Sequence, residues 1–216
     1  MKERTKGMDL SLPHQQTEKF ELPGGGSTSS SLQVEQFSGG FSLRQVYDTF
    51  MYFMSNQEIA MSERLGVLTI RENDDDMDGS TQGQNRLVSS IPGGLEVEMN
   101  AALFTSYVEV TDTEPAYAQI VINYVDEGER YPNQPAPRGR KEVNCAISLS
   151  EVPTAKGSIV AMARWSHVHF RAPEAPMTRA QQAAVKNATA ELCISMPAVI
   201  RERLELSAVD SRSTYT

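Results

Sequence analysis

Between residues 67 and 170, short apolar runs are broken at close intervals by turn chemistry, and this alternation most constrains the fold. Strand-like segments lie at Val67–Arg71, Leu95–Met99, Thr105–Val110, Tyr117–Val125, Val143–Leu149 and Ser158–Phe170. Pro92-Gly93-Gly94, Asp112 to Pro115, Asp126-Glu127-Gly128 and Pro153 to Gly157 separate most of them. Gly and Pro at such points turn the chain rather than continue a strand. Val143, Cys145, Ile147 and Leu149 alternate with Asn144, Ala146 and Ser148, which predicts one buried and one wet face. Tyr117–Val125 is apolar on both parities, which predicts a strand covered on both faces.

Helical patterns flank the strands. Ser42 with Gln45 three residues on fits a capping box. Leu43, Val46, Tyr47, Phe50, Met51 and Met54 then recur at helical spacing, predicting a core-facing helix over 43–54 that continues or restarts through Leu65. Thr178 with Gln181 repeats the capping pattern before an Ala-rich stretch, in which Pro197 interrupts or restarts the helix. The order predicts an α+β fold: an antiparallel twisted sheet or β-sandwich packed with an early amphipathic helix and C-terminal helices.

Residues 1–40 read as a flexible N-terminal arm and linker, because Gly24-Gly25-Gly26 runs into Ser27-Thr28-Ser29-Ser30-Ser31. Residues 41–206 then form a single globular α+β domain, and 207–216 a polar tail. At 216 residues and 39% hydrophobic, the chain suits one core. No apolar run approaches the roughly 20 residues of a membrane span. The charged opening MKERTKGMDLSLPH predicts a protein that is not secreted. Cys145 and Cys193, with no CxxC, predict free thiols in cytoplasm or nucleus. The net charge of −8 argues against a protein that coats nucleic acid through bulk charge.

Three clusters carry candidate chemistry. Asp74, Asp76 and Asp78 precede Gly79 as in the first half of a calcium loop, but Asn85 stands where a bidentate Glu belongs, so the segment Asn73–Asn85 reads as an acidic loop. His167 and His169 share one strand face and Glu174 follows, a ligand set for iron, zinc or manganese of the kind a cupin-like β-barrel enzyme uses. Arg130, Arg138, Arg140 and Lys141 form a basic loop suited to RNA phosphates or an acidic partner. No GxSxG, GxxxxGK or GxGxxG motif occurs, so the expectation is a non-enzymatic protein with no cofactor and no small-molecule substrate.

The arm 1–40, the helix Phe41–Arg64 leading into Leu65–Arg71, and the strands Phe104–Val125 and Glu142–Phe170 together resemble the matrix proteins of rhabdoviruses. The resemblance implies a viral structural and assembly protein of virion and host cytoplasm or nucleus. Its role would be to self-associate and contact nucleocapsid or envelope. A jelly-roll viral coat or movement protein shows the same order of elements. Leu10, Leu12, Phe20 and Leu22 would dock on the next subunit, making a homo-oligomer. The arm lacks the Lys-rich stretch that electrostatic membrane attachment needs.

Overall fold

The capping signals act where the sequence places them. The computed structural model describes residues 1, 3–72, 81–126 and 138–213, with side chains at 65, 189–194 and 209–213 excepted. In it, helix α1 spans Leu43–Ser55. Ser42 Oγ accepts the Gln45 N–H at 3.2 Å, and Gln45 Oε1 accepts the Ser42 N–H at 2.9 Å. Each end of this capping box satisfies a backbone donor the helix itself cannot. Leu43, Val46, Phe50, Phe53 and Met54 are buried along one stripe. Helix α2 (Gln57–Leu65) follows directly. It ends at Gly66, whose φ of 62° is the left-handed conformation that glycine adopts without a Cβ penalty.

Eight strands among the described residues form one twisted sheet. They are β1 (His14–Glu21), β2 (Ser27–Phe37), β3 (Thr69–Arg71), β4 (Gln82–Ile91), β5 (Leu95–Val108), β6 (Tyr117–Tyr124), β7 (Gly139–Thr154) and β8 (Gly157–Arg171). Their order across the sheet is β1-β2-β8-β7-β6-β5-β4-β3, with every neighbouring pair antiparallel. After β2 the chain crosses through α1 and α2 to the far edge, then returns as an antiparallel meander until β8 reaches β2. A long helix, α3 (Arg179–Ser213), packs on the same face as α1 and α2. The α+β expectation is therefore met by a single antiparallel twisted sheet rather than a sandwich.

The inner face follows strand parity. On β7 it carries Lys141, Val143, Cys145, Ile147 and Leu149, paired in register with Phe170, Val168, Ser166, Arg164 and Met162 of β8. The larger core joins Phe50, Leu103, Ile120, Ile147, Met162 and Ile200, all buried. A smaller one joins Val67, Ile91, Leu95, Val97, Phe170 and Val185.

The structure departs from the sequence reading in several places. Residues 1–40 are not an arm and linker throughout: the serine run lies in β2, which pairs with β8 over its whole length, and β1 pairs with β2. Ser31 Oγ lies 2.8 Å from Ser166 Oγ, so polar residues of β2 find polar partners within the sheet. Leu95–Met99 and Thr105–Val110 are parts of one strand, β5, since nothing between them breaks the ladder. Residues 82–85 of the expected acidic loop begin β4. Tyr117–Val125 is not covered on both faces, because Val121 is 37% exposed while Ala118 and Ile120 are buried. Pro197 sits inside α3, which continues through 213 across most of the expected polar tail.

Candidate functional site

Between α3 and the inner face lies a cavity built from four strands and two helices. Leu87, Ser89 and Ile91 of β4 and Val97 and Met99 of β5 supply one wall. Lys141 of β7 and Phe170 of β8 supply the next, with Met61 of α2 opposite. Val185 and Ala188 of α3 close it. The strand residues point inward because they alternate along their strands, and Ser89 pairs in register with Val97, which pairs with Gly139 of β7. The cavity volume is about 30 Å³, room for a water or two. Its polar lining is confined to Ser89 and Lys141, both buried. Ser89 Oγ lies 2.9 Å from Thr69 Oγ1.

The part of α3 over this cavity is held by few contacts. Val185 is its fully buried side chain there, with Ala184 and Ala188 partly buried beside it. Two exposed polar contacts add to these: Gln181 Nε2 donates to the Gly93 carbonyl at 2.8 Å, and Lys186 pairs with Glu21 at the end of β1. The Lys186 hydrogen bond and charge hold the Glu21 carboxyl below its ordinary value of 4.5. Pro197 removes one rung of the helix ladder, since it lacks an N–H, within a helix that continues through 213. Beyond it, Ile200 and Leu204 are buried in the larger core.

The residues singled out in the sequence are distributed differently. His167 and His169 do share a face of β8, but it is the outer one. His167 Nε2 is 3.3 Å from Thr28 Oγ1, and His169 Nδ1 is 3.3 Å from Glu142 Oε2 rather than beside Glu174, which is exposed. Among the described residues, no group of three or more His, Cys, Asp or Glu is placed to hold a metal ion. Arg138 pairs with Glu96 at 2.7 Å and Arg140 with Asp126 at 2.7 Å, so these cations face carboxylates of their own chain. Lys141, by contrast, points inward. Asp74, Asp76, Asp78 and Arg130 lie outside the described residues. Leu12, Phe20 and Leu22 are exposed, and the Leu10 carbonyl accepts Gln36 Nε2 of the same chain at 3.1 Å.

The sequence carries no local mark on Ser89 or Val185, and by position Lys141 reads as the end of the basic loop before it. Parity held the missing signal. Counted back from Leu149 in steps of two, Lys141 falls on the buried face of its strand.

A second, wider hollow of about 290 Å³ lies outside, where α1, α2 and α3 meet around Tyr52, Ile59 and Leu206. Arg203 stacks over Tyr52 at 3.3 Å, and Arg64 pairs with Glu202 at its rim. It is a solvated groove between helices, not an enclosed chamber.

No family model and no curated protein matches the sequence. Solved structures do. Human STARD10 matches at 8% identity and a TM-score of 0.53, over 97% of this chain and 80% of that one. Protein Ms6760 of Mycobacterium smegmatis matches at 15% identity over 81% of this chain and 90% of that one, with a TM-score of 0.34. A conserved protein of Geobacillus kaustophilus matches at 12% identity over 84% of this chain and 95% of that one, with a TM-score of 0.39. The likeness to STARD10 overturns the resemblance to rhabdovirus matrix proteins, and with it the viral structural and assembly role. The order of helix and strands on which that resemblance rested does not specify how strands pair. With one antiparallel sheet curled about its helices, the chain has the helix-grip fold of STARD10.

Proposed function

We propose that this protein is a non-catalytic binder or carrier of an apolar small molecule, held between the sheet and the first half of α3. The observation that carries the reading is the cavity itself: an interior space with apolar walls, two polar groups and a weakly anchored helical cover. Apolar chambers with a few polar groups are the usual form of small-molecule sites. By fold analogy, START and Bet v1-like domains of the helix-grip type are lipid-binding, which supports the same reading and replaces the expectation of no small-molecule partner.

The cavity must enlarge to work. A drug-sized ligand needs a chamber of roughly 300–1,000 Å³, against about 30 Å³ here. On this reading the structure would be the closed state. Opening would require residues 179–188 of α3 to swing outward while Met196, Ile200 and Leu204 keep the later part seated. Ligand binding then selects the open population, and its free energy offsets the cost of opening.

Titration with the neutral fluorophore N-phenyl-1-naphthylamine tests the reading. Saturable, one-to-one enhancement is expected, and Val185→Trp, which fills the chamber from α3, should remove it while far-UV circular dichroism is retained. Absence of saturable binding by the wild type, or unchanged binding by Val185→Trp, overturns it.

A further inference from the structure

We propose that the free edge of β1 pairs antiparallel with the same edge of a second copy, about a two-fold axis through Thr17, joining two sheets into one. None of the β1 residues lines the cavity, so the inference stands apart from the ligand reading.

The two edges of the sheet differ. Among the described residues, β3 closes one edge with three residues, too few to template another strand. β1 closes the other with eight, free of Gly and Pro, and every one is exposed. Where the β1–β2 hairpin turns, the Leu22 N–H donates to the Gly26 carbonyl at 2.9 Å. Residues along an antiparallel pair alternate between those that exchange hydrogen bonds with the neighbour and those that do not. Counted back from Leu22, the even residues of β1 bond to β2. The N–H and C=O groups of Gln15, Thr17, Lys19 and Glu21 therefore point to the free edge. An open row of this length is a template for a strand of another chain.

Charge and register select a second copy as that strand. Identical strands related by a two-fold axis must set even residues opposite even ones to keep each face of the joint sheet continuous. Centred on Thr17, the pairing puts Gln15 against Lys19 and Gln16 against Glu18. A glutamine carbonyl can accept from the ammonium, and a glutamine amide can donate to the carboxylate. On the outer face His14 meets exposed Phe20, and the ends that carry exposed Leu12 and Leu22 come together. No like charges stand opposite each other. Centred on Glu18 instead, the two Glu18 carboxylates would face one another, which is destabilising. Centred on Gln16, Pro13 would stand opposite Lys19 and, lacking an N–H, would end the ladder early. The Thr17 centre places Pro13 opposite Glu21, so the ladder runs the full length of β1. A self-complementary contact of this kind closes as a dimer.

Sedimentation of the full chain over a range from micromolar to submillimolar tests the pairing. The wild type should pass from monomer to dimer, and no further, as concentration rises. Thr17→Pro removes an N–H that the β1–β2 ladder does not use, so far-UV circular dichroism should be retained. The dimer dissociation constant should rise at least about tenfold, the scale of the two symmetry-related hydrogen bonds lost. Oxidation should cross-link Thr17→Cys, because facing Cα atoms in a hydrogen-bonded pair stand about 5.5 Å apart, within disulfide reach. Glu18→Cys, opposite Gln16 in this register, should cross-link far less, with the wild type and its Cys145 and Cys193 as the control. A wild type that stays monomeric at every concentration overturns the inference. So does a dimer unmoved by Thr17→Pro, a series of higher oligomers, or cross-linking through Glu18→Cys in preference to Thr17→Cys. If Thr17→Pro does not fold, the concentration series and the two cysteine variants decide.

Discussion

Over residues 179–188, α3 lies over a small cavity and touches the smaller core chiefly through Val185, whereas further along the same helix seats Met196, Ile200 and Leu204 in the larger core beside Phe50 and Met162. One helix is thus anchored in two unlike ways. The second half is held by buried apolar area, which is strong, non-directional and lost only by unfolding. Among the described side chains, residues 179–188 are held by one valine, two alanines and exposed polar contacts, which water can replace at little cost. A protein that must admit a ligand and stay folded needs this separation, since local opening draws on the least stable segment.

The comparison can be broken most sharply in the larger core. Phe50→Ala should cost about 3–5 kcal/mol of stability, the range for deleting a buried aromatic. Chemical denaturation measures the loss. A cost below about 1 kcal/mol would mean that this core is not the anchor assumed here.

Pro197→Ala tests the hinge. Ala is about 3 kcal/mol better than Pro in a helix interior, and part of that gain, about 1–2 kcal/mol, should appear as added stability once the packing of buried Pro197 is lost. More telling is the rate: stopped-flow association of N-phenyl-1-naphthylamine should slow, because the halves then move as one rod. An unchanged rate would show that the proline does not divide the helix.

Val185→Ala should cost less, about 1–2 kcal/mol from the apolar area removed. It should also speed ligand entry. A loss as large as that of Phe50→Ala would erase the distinction between the two cores.

The smallest effect is expected at the Glu21–Lys186 contact. Glu21 titrates below its ordinary value of 4.5 because Lys186 favours the charged form. The contact is therefore fully present above that value and lost as pH falls through the lowered one. Protection factors of the amides over 179–188, which remove the intrinsic pH dependence of exchange, should fall on acidification in the wild type, and to a lesser degree in Glu21→Gln, which lacks the contact at every pH. Identical pH responses would remove this contact from the account of how α3 is held.

The elements with strong local signals were legible in the chain. The α1 capping box forms between the residues that predict it, and β7 and β8 bury the parity their apolar residues mark. Weak local signals misled. Ser27–Ser31 has linker composition, yet it is a strand because β8 offers it a ladder and Ser166 offers Ser31 a hydroxyl partner. Tyr117–Val125 looked doubly buried, but Val121 on its outer face is 37% exposed. In the candidate site, Lys141 looked like the last cation of a basic loop, and only its strand parity separates it from Arg140, which faces outward to Asp126.

By itself the sequence determined the α+β class, the helical stretches and the strands β7 and β8, where α1 begins and α2 ends, and that no described helix is long and apolar enough to cross a membrane. Those properties follow from spacing and capping within a few residues of each other. Only the tertiary structure decided that β2 joins β8, that the sheet is single and grips α3, and that Ser89, Lys141 and Val185 line one chamber. These residues are separated by dozens of positions in the chain, and strand pairing, which local pattern does not encode, is what brings them together.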